Sequence, residues 1–236
     1  MPRIVVLGTG TEVGKTYVTK LLTDLLTGRY PSATISAFKP VESGVAELAD
    51  TDAAILGRCS QPPCEPRHAF ALRAPVSPHL AAKMELQTIT TDAITRWVRA
   101  QMSAPPSKSH QHADHDTWTL IETAGGVFSP ISDAQTSLSV AEAFDPAIWA
   151  LVAPDRLGVL HDLRATLIAL EKIARLPDVL FLNAPAVPDP STGTNRREIE
   201  NLGIAQVTGE IARNSGLNSC DERRLLERLH DSKSQC

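Results

Sequence analysis

The first thirty residues constrain the fold more than any other part of the chain. The apolar run Arg3–Leu7 predicts a buried strand, and leucine and valine residues at helical spacing from Lys15 predict a helix that ends near Gly28. Between them lies the glycine-rich segment GTGTEVGKT, residues 8–16. Glycines let backbone N–H groups converge on an anion, and the start of the helix adds further donors. Strand, loop and helix together predict a phosphate-binding loop.

The residues that end this loop assign it to nucleotide binding. Lys15 would reach the β and γ phosphates of a nucleoside triphosphate, and the Thr16 hydroxyl would ligate Mg²⁺. The general motif requires glycine at the position of Thr9, so the loop is a variant. The alternative interpretation is a glycine turn that merely precedes a lysine. The loop alone indicates a nucleotide and does not specify a reaction.

The rest of the chain alternates short strand patterns with longer helical ones. This alternation is typical of an α/β fold with a mostly parallel, doubly wound sheet and helices on both faces. Leucines at helical spacing between Leu160 and Leu170 predict one of the covering helices. Beyond the first strand, we predict strands at Ala33–Phe38, Thr117–Ile121, Ala147–Val152 and Val179–Leu182, and near Ile204–Val207.

Length and composition indicate one domain. We place it at residues 1–213, with a flexible polar loop at 103–116, followed by a polar tail at 214–236 with a short helix around Arg224–Leu229. The net charge of −4 does not favour nucleic acid as a partner. No apolar run approaches the roughly 20 residues of a membrane span. No signal peptide is visible, so a cytoplasmic protein with reduced cysteines is expected.

Polar residues follow several predicted strands, at the edge where open α/β sheets bind ligands. Lys39 and Ser43 follow the second strand, and Lys39 would offset charge on a transferred phosphoryl group unless it is an ordinary solvated lysine. Glu122 follows Thr117–Ile121 as a candidate Mg²⁺ ligand, the alternative being a glutamate that faces water. Asp52 is a second acidic candidate, which could also simply start a helix.

Two further polar groups carry weaker signals. Ser77, Pro78 and His79 precede a helical stretch, and the segment is either a helix start with proline in its first turn or part of the site. His110, His112 and His115 lie in the polar loop at 103–116. Three histidines can bind Zn²⁺ or Ni²⁺, but nothing in the loop sequence provides partners that would orient them. An incidental loop is therefore the favoured interpretation.

Taken in order, these motifs resemble the dethiobiotin synthetase family. The resemblance spans about residues 3 to 210, and each motif alone is weak while the ordered set is specific. It rests on GTGTEVGKT (8–16), KPVESG (39–44), the segment around Asp52, SPH (77–79), ETAGG (122–126) and the segment around Asn183.

The resemblance implies an ATP-dependent, ring-closing ligase of biotin biosynthesis. One amine of 7,8-diaminononanoate would take up CO₂, supplied by bicarbonate, to give a carbamate. ATP would phosphorylate the carbamate, and the second amine would close a cyclic urea. Mg²⁺ would be held by Thr16, Asp52 and Glu122. The carbamate and the γ-phosphate would be surrounded by Thr11, Lys15, Lys39 and Ser43.

The resemblance also assigns the nucleotide and substrate contacts. Asn183 would read the adenine, and the protein would be a homodimer in which the start of a helix of one subunit binds the substrate carboxylate of the other. ATP would contact Thr9, Gly10, Glu12, Val13, Gly14, Lys15, Thr16 and Tyr17. The diamine would contact Ser43, Ser77 and Gly125, and the partner's open N–H groups at Gly158, Val159 and Leu160.

Two residues depart from the family pattern beside the expected chemistry. The family usually has aspartate where this chain has Gly10, and glycine where it has Thr123, whose side chain would narrow the substrate cleft. Three alternatives therefore stay open: a diverged enzyme acting on another amine, a binding-only protein, and a switch-type ATPase of the partitioning kind. The switch-type ATPases carry an additional lysine early in the loop, where this chain has Thr9 and Gly10.

Overall fold

The computed structural model describes residues 2–103, 117–213 and 215–233. Strands and helices alternate along most of the chain. The strands are β1 (Arg3–Gly8), β2 (Thr34–Phe38), β3 (Val41–Ser43), β4 (Phe70–Leu72), β5 (Thr117–Glu122), β6 (Ile148–Pro154), β7 (Val179–Asn183) and β8 (Gly209–Ile211). The helices are α1 (Lys15–Arg29), α2 (Asp52–Cys59), α3 (Pro78–Met84), α4 (Thr91–Ser103), α5 (Ser137–Ala143), α6 (Val159–Ile173), α7 (Asn195–Asn201) and α8 (Ser219–Lys233).

A six-stranded parallel sheet with the order β2-β5-β1-β6-β7-β8 forms the centre of the fold. Because side chains alternate along a strand, Ile4 and Val6 of β1 face one core while Val5 and Leu7 face the other. Helices α1, α2 and α8 cover the first core, and helices α3 to α7 cover the second. The doubly wound α/β fold predicted from the sequence is confirmed.

A second, two-stranded parallel sheet was not predicted. It pairs β3 with β4, with Glu42 opposite Ala71. The Pro40 carbonyl accepts the backbone N–H groups of Ala69 and Phe70, so the chain leaves the main sheet directly after β2. This small sheet fixes the segment that carries Lys39 at the carboxyl edge of the main sheet.

The last strand lies further along the chain than predicted. The prediction of a strand near Ile204–Val207 is wrong, because that segment is irregular although Val207 is buried in the core. The Thr208 N–H donates to the Leu180 carbonyl at 2.8 Å, and the regular ladder with β7 begins only at Gly209. A β carbon on Gly209 would lie 2.5 Å from the Leu217 side chain and 3.0 Å from the Phe181 ring of β7, so the close packing at this position favours glycine.

The C-terminal segment contributes to the folded domain. Helix α8 is longer than the short helix predicted around Arg224–Leu229, because Leu225 and Leu229 are buried against the sheet and Asp221 pairs with Arg196 of α7. At least this part of the predicted polar tail is therefore packed. Most of the loop predicted at 103–116, including His110, His112 and His115, lies outside the described residues. None of the helices within the described ranges is long and apolar enough to cross a membrane.

Candidate active site

The glycine-rich loop joins β1 to α1 at the carboxyl edge of the main sheet. The Thr9 N–H donates to the Val152 carbonyl of β6 at 3.0 Å, which fixes the start of the loop on the sheet. Gly14 has φ +92° and stands immediately before α1. This conformation is accessible to glycine, whereas other residues adopt it only at a cost of about 1–2 kcal/mol. The local sequence therefore builds the turn that a phosphate-binding loop needs.

Lys15 is folded back over this loop. Its ammonium donates to the Gly10 carbonyl at 3.3 Å, and the residue is only 6% exposed. Burial and, to a smaller extent, the neighbouring Lys39 ammonium lower the pKa of Lys15 to about 8, although Glu122 and Asp52 act to raise it. A poorly solvated cation of this kind binds phosphate oxygens strongly.

Glu122 is the centre of a polar cluster beneath the loop. It ends β5 and is 1% exposed. The Thr16 hydroxyl donates to its Oε1 at 2.8 Å, and the Thr19 hydroxyl lies 3.3 Å from its Oε2. The Lys39 ammonium contacts the same Oε1 at 2.9 Å and also contacts Asp52. One ammonium therefore bridges two carboxylates that are 70 residues apart in the sequence.

Lys39 remains fully charged in this position. Burial acts to lower its pKa, but Glu122 and Asp52 outweigh burial and raise the pKa above its ordinary value. The ammonium is thereby held at the centre of the acidic pair. Such a cation offsets the carboxylate charge and can move onto a developing phosphoryl charge without losing its proton.

The oxygen atoms of this cluster suit a magnesium ion. Within the described ranges, no three or more His, Cys, Asp or Glu side chains form a metal cluster. Instead, the Thr16 hydroxyl is hydrogen-bonded to the Glu122 carboxylate, and Lys39 links that carboxylate to the one of Asp52. Magnesium in nucleotide sites is commonly held by one or two carboxylates together with phosphate oxygens and water. The donor set therefore fits that ion.

Asn183 lies on the other side of the loop. Its side-chain Nδ2 donates to the Val13 carbonyl at 3.3 Å, next to Gly14. The loop that follows β7 is held by the buried Asp155, which accepts the Gly193 N–H and the Asn195 amide, each at 2.7 Å. Asn183 is thereby joined to the glycine-rich loop, 170 residues away in the sequence.

The segment ETAGG, which begins with the last residue of β5, packs directly against the same loop. The Val127 N–H donates to the Gly8 carbonyl at 2.8 Å. A β carbon on Gly126 would lie 3.1 Å from the Gly10 Cα, so any other residue would have to push the loop backbone away. Gly125 has φ +66°, and its β-carbon position lies 3.9 Å from the Thr11 hydroxyl. Thr11 and Gly125, both predicted site residues, are therefore neighbours.

The two departures from the family pattern have different structural consequences. The buried Thr123 side chain donates its hydroxyl to the Val6 carbonyl at 3.0 Å. Because it points into the domain, the expectation that it narrows the cleft is wrong. A β carbon on Gly10 would make no close contact, since the nearest atom to its position is Val13 Cγ1 at 3.8 Å. Its glycine character is not required by packing.

Other predicted residues are distributed around this centre. Ser43 ends β3, and the Ser77 hydroxyl contacts His79 Nδ1 at 3.0 Å at the start of α3. Glu12 is exposed with φ +58°, and the Tyr17 hydroxyl donates to the Ser215 carbonyl at 2.8 Å.

The start of α6 differs in one respect from the expectation. Gly158 has φ +97° and is exposed, and Leu160 is half-buried. The Val159 N–H, however, donates to the Arg156 carbonyl at 3.1 Å, and the Val159 side chain is buried in the core. Of the three N–H groups expected to be open here, that of Val159 is already engaged.

Known proteins similar to this chain identify its family. The profile of a family described as an AAA domain matches residues 2–220. The ATP-dependent dethiobiotin synthetase of Caulobacter sp. (strain K31) is 34% identical over 80% of this chain and 79% of its own length. The chain belongs to the dethiobiotin synthetase family. The family member from Methylobacterium nodulans is 32% identical over 92% of this chain and 95% of its own length. The family predicted from the ordered motifs is confirmed.

Solved structures show that other proteins share the fold of this chain. The ParA family ATPase of Chlorobium tepidum superposes with a TM-score of 0.50 over 99% of this chain and 90% of its own length, at 12% identity. At this identity the similarity establishes the fold alone. It therefore gives no support to a switch-type ATPase over a dethiobiotin synthetase.

Three residues of the cluster were not identified from the sequence. Thr19 lies one helical turn after Thr16, so the i, i+3 spacing would have placed it on the same face. Glu42 accepts the N–H groups of Asp52 and Ala53. Burial acts to raise the pKa of Glu42, but a hydrogen bond from His68 and these N–H groups lower it below its ordinary value. Nothing in the sequence pairs Glu42 with His68, 26 residues away.

Proposed function

We propose that this chain is an ATP-dependent dethiobiotin synthetase that converts 7,8-diaminononanoate, CO₂ and ATP into a cyclic urea, ADP and phosphate. The observation that carries the proposal is a pair of ammonium groups beside Glu122 at the glycine-rich loop: that of Lys15, which is buried, and that of Lys39, whose side chain is 12% exposed. Two cations and an acidic pair at one loop suit the transfer of a phosphoryl group to an anionic acceptor.

The reaction needs no nucleophile from the protein. The lone pair of one substrate amine attacks CO₂, and loss of a proton leaves a carbamate. A carbamate oxygen then attacks the γ-phosphorus of ATP, the bond to the β-phosphate oxygen breaks, and ADP leaves. The second amine attacks the carbamate carbon, the C–O bond to phosphate breaks, and the amine proton leaves with the phosphate or solvent. The protein contributes position and positive charge.

The residues of the cluster divide these tasks. Lys15 would bind the γ-phosphate oxygens. Lys39 would shift from the acidic pair toward the carbamate as negative charge moves between the carbamate and the transferred phosphoryl group. Thr11 and Ser43 would hydrogen-bond the carbamate. Thr16, Asp52 and Glu122 would hold Mg²⁺, which would neutralise phosphate charge when bound.

The nucleotide would lie along the loop and the start of α1. Its contacts would come from Thr9, Gly10, Glu12, Val13, Gly14, Thr16 and Tyr17, with Asn183 beside the base. The position of Asn183 against Gly14 and Val13 supports this assignment, because it places an amide at the edge of the loop. Backbone N–H groups at the helix start would receive the phosphates.

The long substrate would extend away from the loop, past Gly125 and Ser77. Its carboxylate would bind the start of α6 in a second subunit of a homodimer, at residues Gly158, Val159 and Leu160. Because the Val159 N–H already donates to the Arg156 carbonyl, the hydrogen bonds to the carboxylate would come from the N–H groups of Gly158 and Leu160. The exposed Gly158 at a helix start supports this site. The homodimer and the cytoplasmic location stay predictions.

A matched pair of lysine variants tests the proposal. Lys15→Ala removes the buried cation, whereas Lys20→Ala removes a lysine of the same helix whose side chain is 41% exposed and pairs with Asp24. We expect ADP release dependent on the diamine and bicarbonate to fall by about 10²–10³-fold in the first variant and to stay near the wild-type rate in the second. Wild-type turnover in Lys15→Ala would contradict the assignment of the loop.

One observation keeps a second amine substrate open. Gly10 stands where the family usually has an acidic residue, and a β carbon there would meet no atom closer than 3.8 Å. A carboxylate is therefore missing beside the proposed amine site, which would weaken recognition of a cationic diamine. Comparing turnover across diamines of different chain length tests this alternative, since preference for another amine would identify a diverged enzyme.

A further inference from the structure

The start of helix α2 is held by a carboxylate from another part of the chain. Glu42, in the middle of β3, is 9% exposed, and its Oε1 and Oε2 accept the N–H groups of Asp52 at 2.8 Å and Ala53 at 3.1 Å. The next N–H, of Ala54, is accepted by the Thr51 hydroxyl at 3.1 Å. The first N–H groups of a helix have no partner within the helix, so Glu42 satisfies two of them.

The same carboxylate is fixed from its other side. His68 Nε2 lies 2.9 Å from Glu42 Oε2, and the His68 side chain is 4% exposed. The backbone that follows His68 is bonded to the Pro40 carbonyl through Ala69 and Phe70. Glu42 therefore joins three segments: its own strand β3, the start of α2, and the residues at His68 that lead into β4.

This arrangement bears directly on the acidic pair of the site. Asp52, the first residue of α2, contacts Lys39, which lies three residues before Glu42. The Asp52 side chain is 36% exposed and follows a mostly exposed segment at 44–50, whose last three residues form a single 3-10 turn. Its position is therefore set mainly by the backbone of the helix start, and that backbone is what Glu42 holds.

We propose that Glu42, fixed by His68, is a positioning residue that clamps the first turn of α2 and so holds the Asp52 carboxylate against Lys39. The effect on catalysis rests on the proposed function, whereas the clamp itself is a property of the protein without nucleotide. The negative charge of Glu42 also suits the positive end of the helix dipole. Partners that orient metal ligands typically change metal affinity by about 10–100-fold when removed.

Substitutions of Glu42 and His68 separate this role from general packing. Glu42→Gln keeps the size of the side chain, but its amide N–H₂ must face one of the two helix N–H groups. His68→Leu removes the hydrogen bond to Glu42, whereas His68→Gln retains an amide donor that can reach the same oxygen. The glutamine variant at position 68 should therefore restore most of what the leucine variant loses.

The first measurement is amide hydrogen exchange of the protein without nucleotide or metal. We expect exchange at Asp52 and Ala53 to accelerate by about 10-fold in Glu42→Gln and in His68→Leu, and to stay within about threefold of wild type in His68→Gln. Amides in the middle of β1 should exchange at the wild-type rate in all three, which shows that the fold is intact. Unchanged exchange at Asp52 and Ala53 in Glu42→Gln would overturn the inference.

The second measurement is Mn²⁺ binding by electron paramagnetic resonance with a non-hydrolysable ATP analogue, with Glu122→Gln as the control. We expect about 10-fold weaker Mn²⁺ binding in Glu42→Gln and at least as large a loss in Glu122→Gln. Normal Mn²⁺ affinity in Glu42→Gln beside a loss in Glu122→Gln would overturn the positioning role. If neither variant weakens binding while exchange accelerates, the clamp is supported and the metal assignment of the proposed function fails.

Discussion

Gly14 offers a sharp test of how the glycine-rich loop is built. An alanine methyl at this position would lie 2.1 Å from Asn183 Nδ2 and 2.9 Å from Asn183 Cγ, in a backbone with φ +92°. Gly203 is a suitable control, since it also has a positive φ of +62° but has no atom within 4 Å of its β-carbon position. Gly14→Ala adds a collision and a lost contact to the backbone strain, whereas Gly203→Ala adds strain alone.

The expected magnitudes follow from these contacts. A left-handed backbone costs about 1–2 kcal/mol for alanine, and displacing Asn183 breaks its hydrogen bond to Val13, worth about 1 kcal/mol. Gly14→Ala should therefore lower the free energy of unfolding by about 2–3 kcal/mol, and Gly203→Ala by about 1–2 kcal/mol. For a domain of this size, each kcal/mol lowers the melting temperature by about 2–4 °C.

Thermal unfolding with and without MgATP measures both consequences. MgATP raises the melting temperature of a protein whose native state binds it. We expect this rise to persist in Gly203→Ala and to disappear in Gly14→Ala, because moving Asn183 and the helix start disrupts the loop. If the two variants melted within about 1 °C of each other and kept equal shifts with MgATP, the close packing of Gly14 on Asn183 would be refuted.

Three other variants test separate parts of the structure. Asp221→Asn breaks the pair with Arg196, whose N–O distances are 2.7 and 2.9 Å, and should lower the free energy of unfolding in denaturant by about 2–3 kcal/mol at pH 7. Burial acts to raise the pKa of Asp221, but its hydrogen bonds outweigh burial and lower the pKa below its ordinary value. The ionised Asp221 therefore stabilises the folded protein fully above the unfolded pKa of about 3.9. The difference in unfolding free energy between Asp221→Asn and wild type should vanish as the pH falls through the folded pKa. Gly126→Ala pushes a methyl to 3.1 Å from Gly10 Cα and should weaken ATP binding in calorimetry by about 10-fold. Thr123→Val should reduce stability by about 1 kcal/mol but leave the KM for the diamine unchanged; a large change in that KM would place the side chain in the cleft.

Much of the site was predictable because its residues follow parallel strands. The carboxyl ends of such strands meet at one edge of a sheet, so Lys39 after β2, Glu122 at the end of β5 and the loop after β1 had to converge. The apolar run Arg3–Leu7 and the helix from Lys15 were identifiable because burial on both faces and helical periodicity leave strong local patterns.

The remaining features depend on contacts that sequence patterns do not encode. The small sheet formed by β3 and β4 consists of three-residue strands, too short to show a period. The orientation of the Thr123 side chain depends on the Val6 carbonyl of β1. The clamp at Glu42 depends on His68, which lies in the separate segment that leads into β4. The last strand was predicted too early in the chain because Val207 is apolar and buried like a strand residue, although it takes no part in the hydrogen-bonded ladder with β7.

The most direct test of the account is the coupling of ATP use to ring closure. Purified protein is supplied with MgATP, bicarbonate and 7,8-diaminononanoate, and ADP, phosphate and the cyclic urea are quantified together. We predict that all three products form in equal amounts and that ADP release nearly stops when either the diamine or bicarbonate is omitted. ATP hydrolysis at the same rate without the diamine, with no cyclic urea formed, would contradict the account.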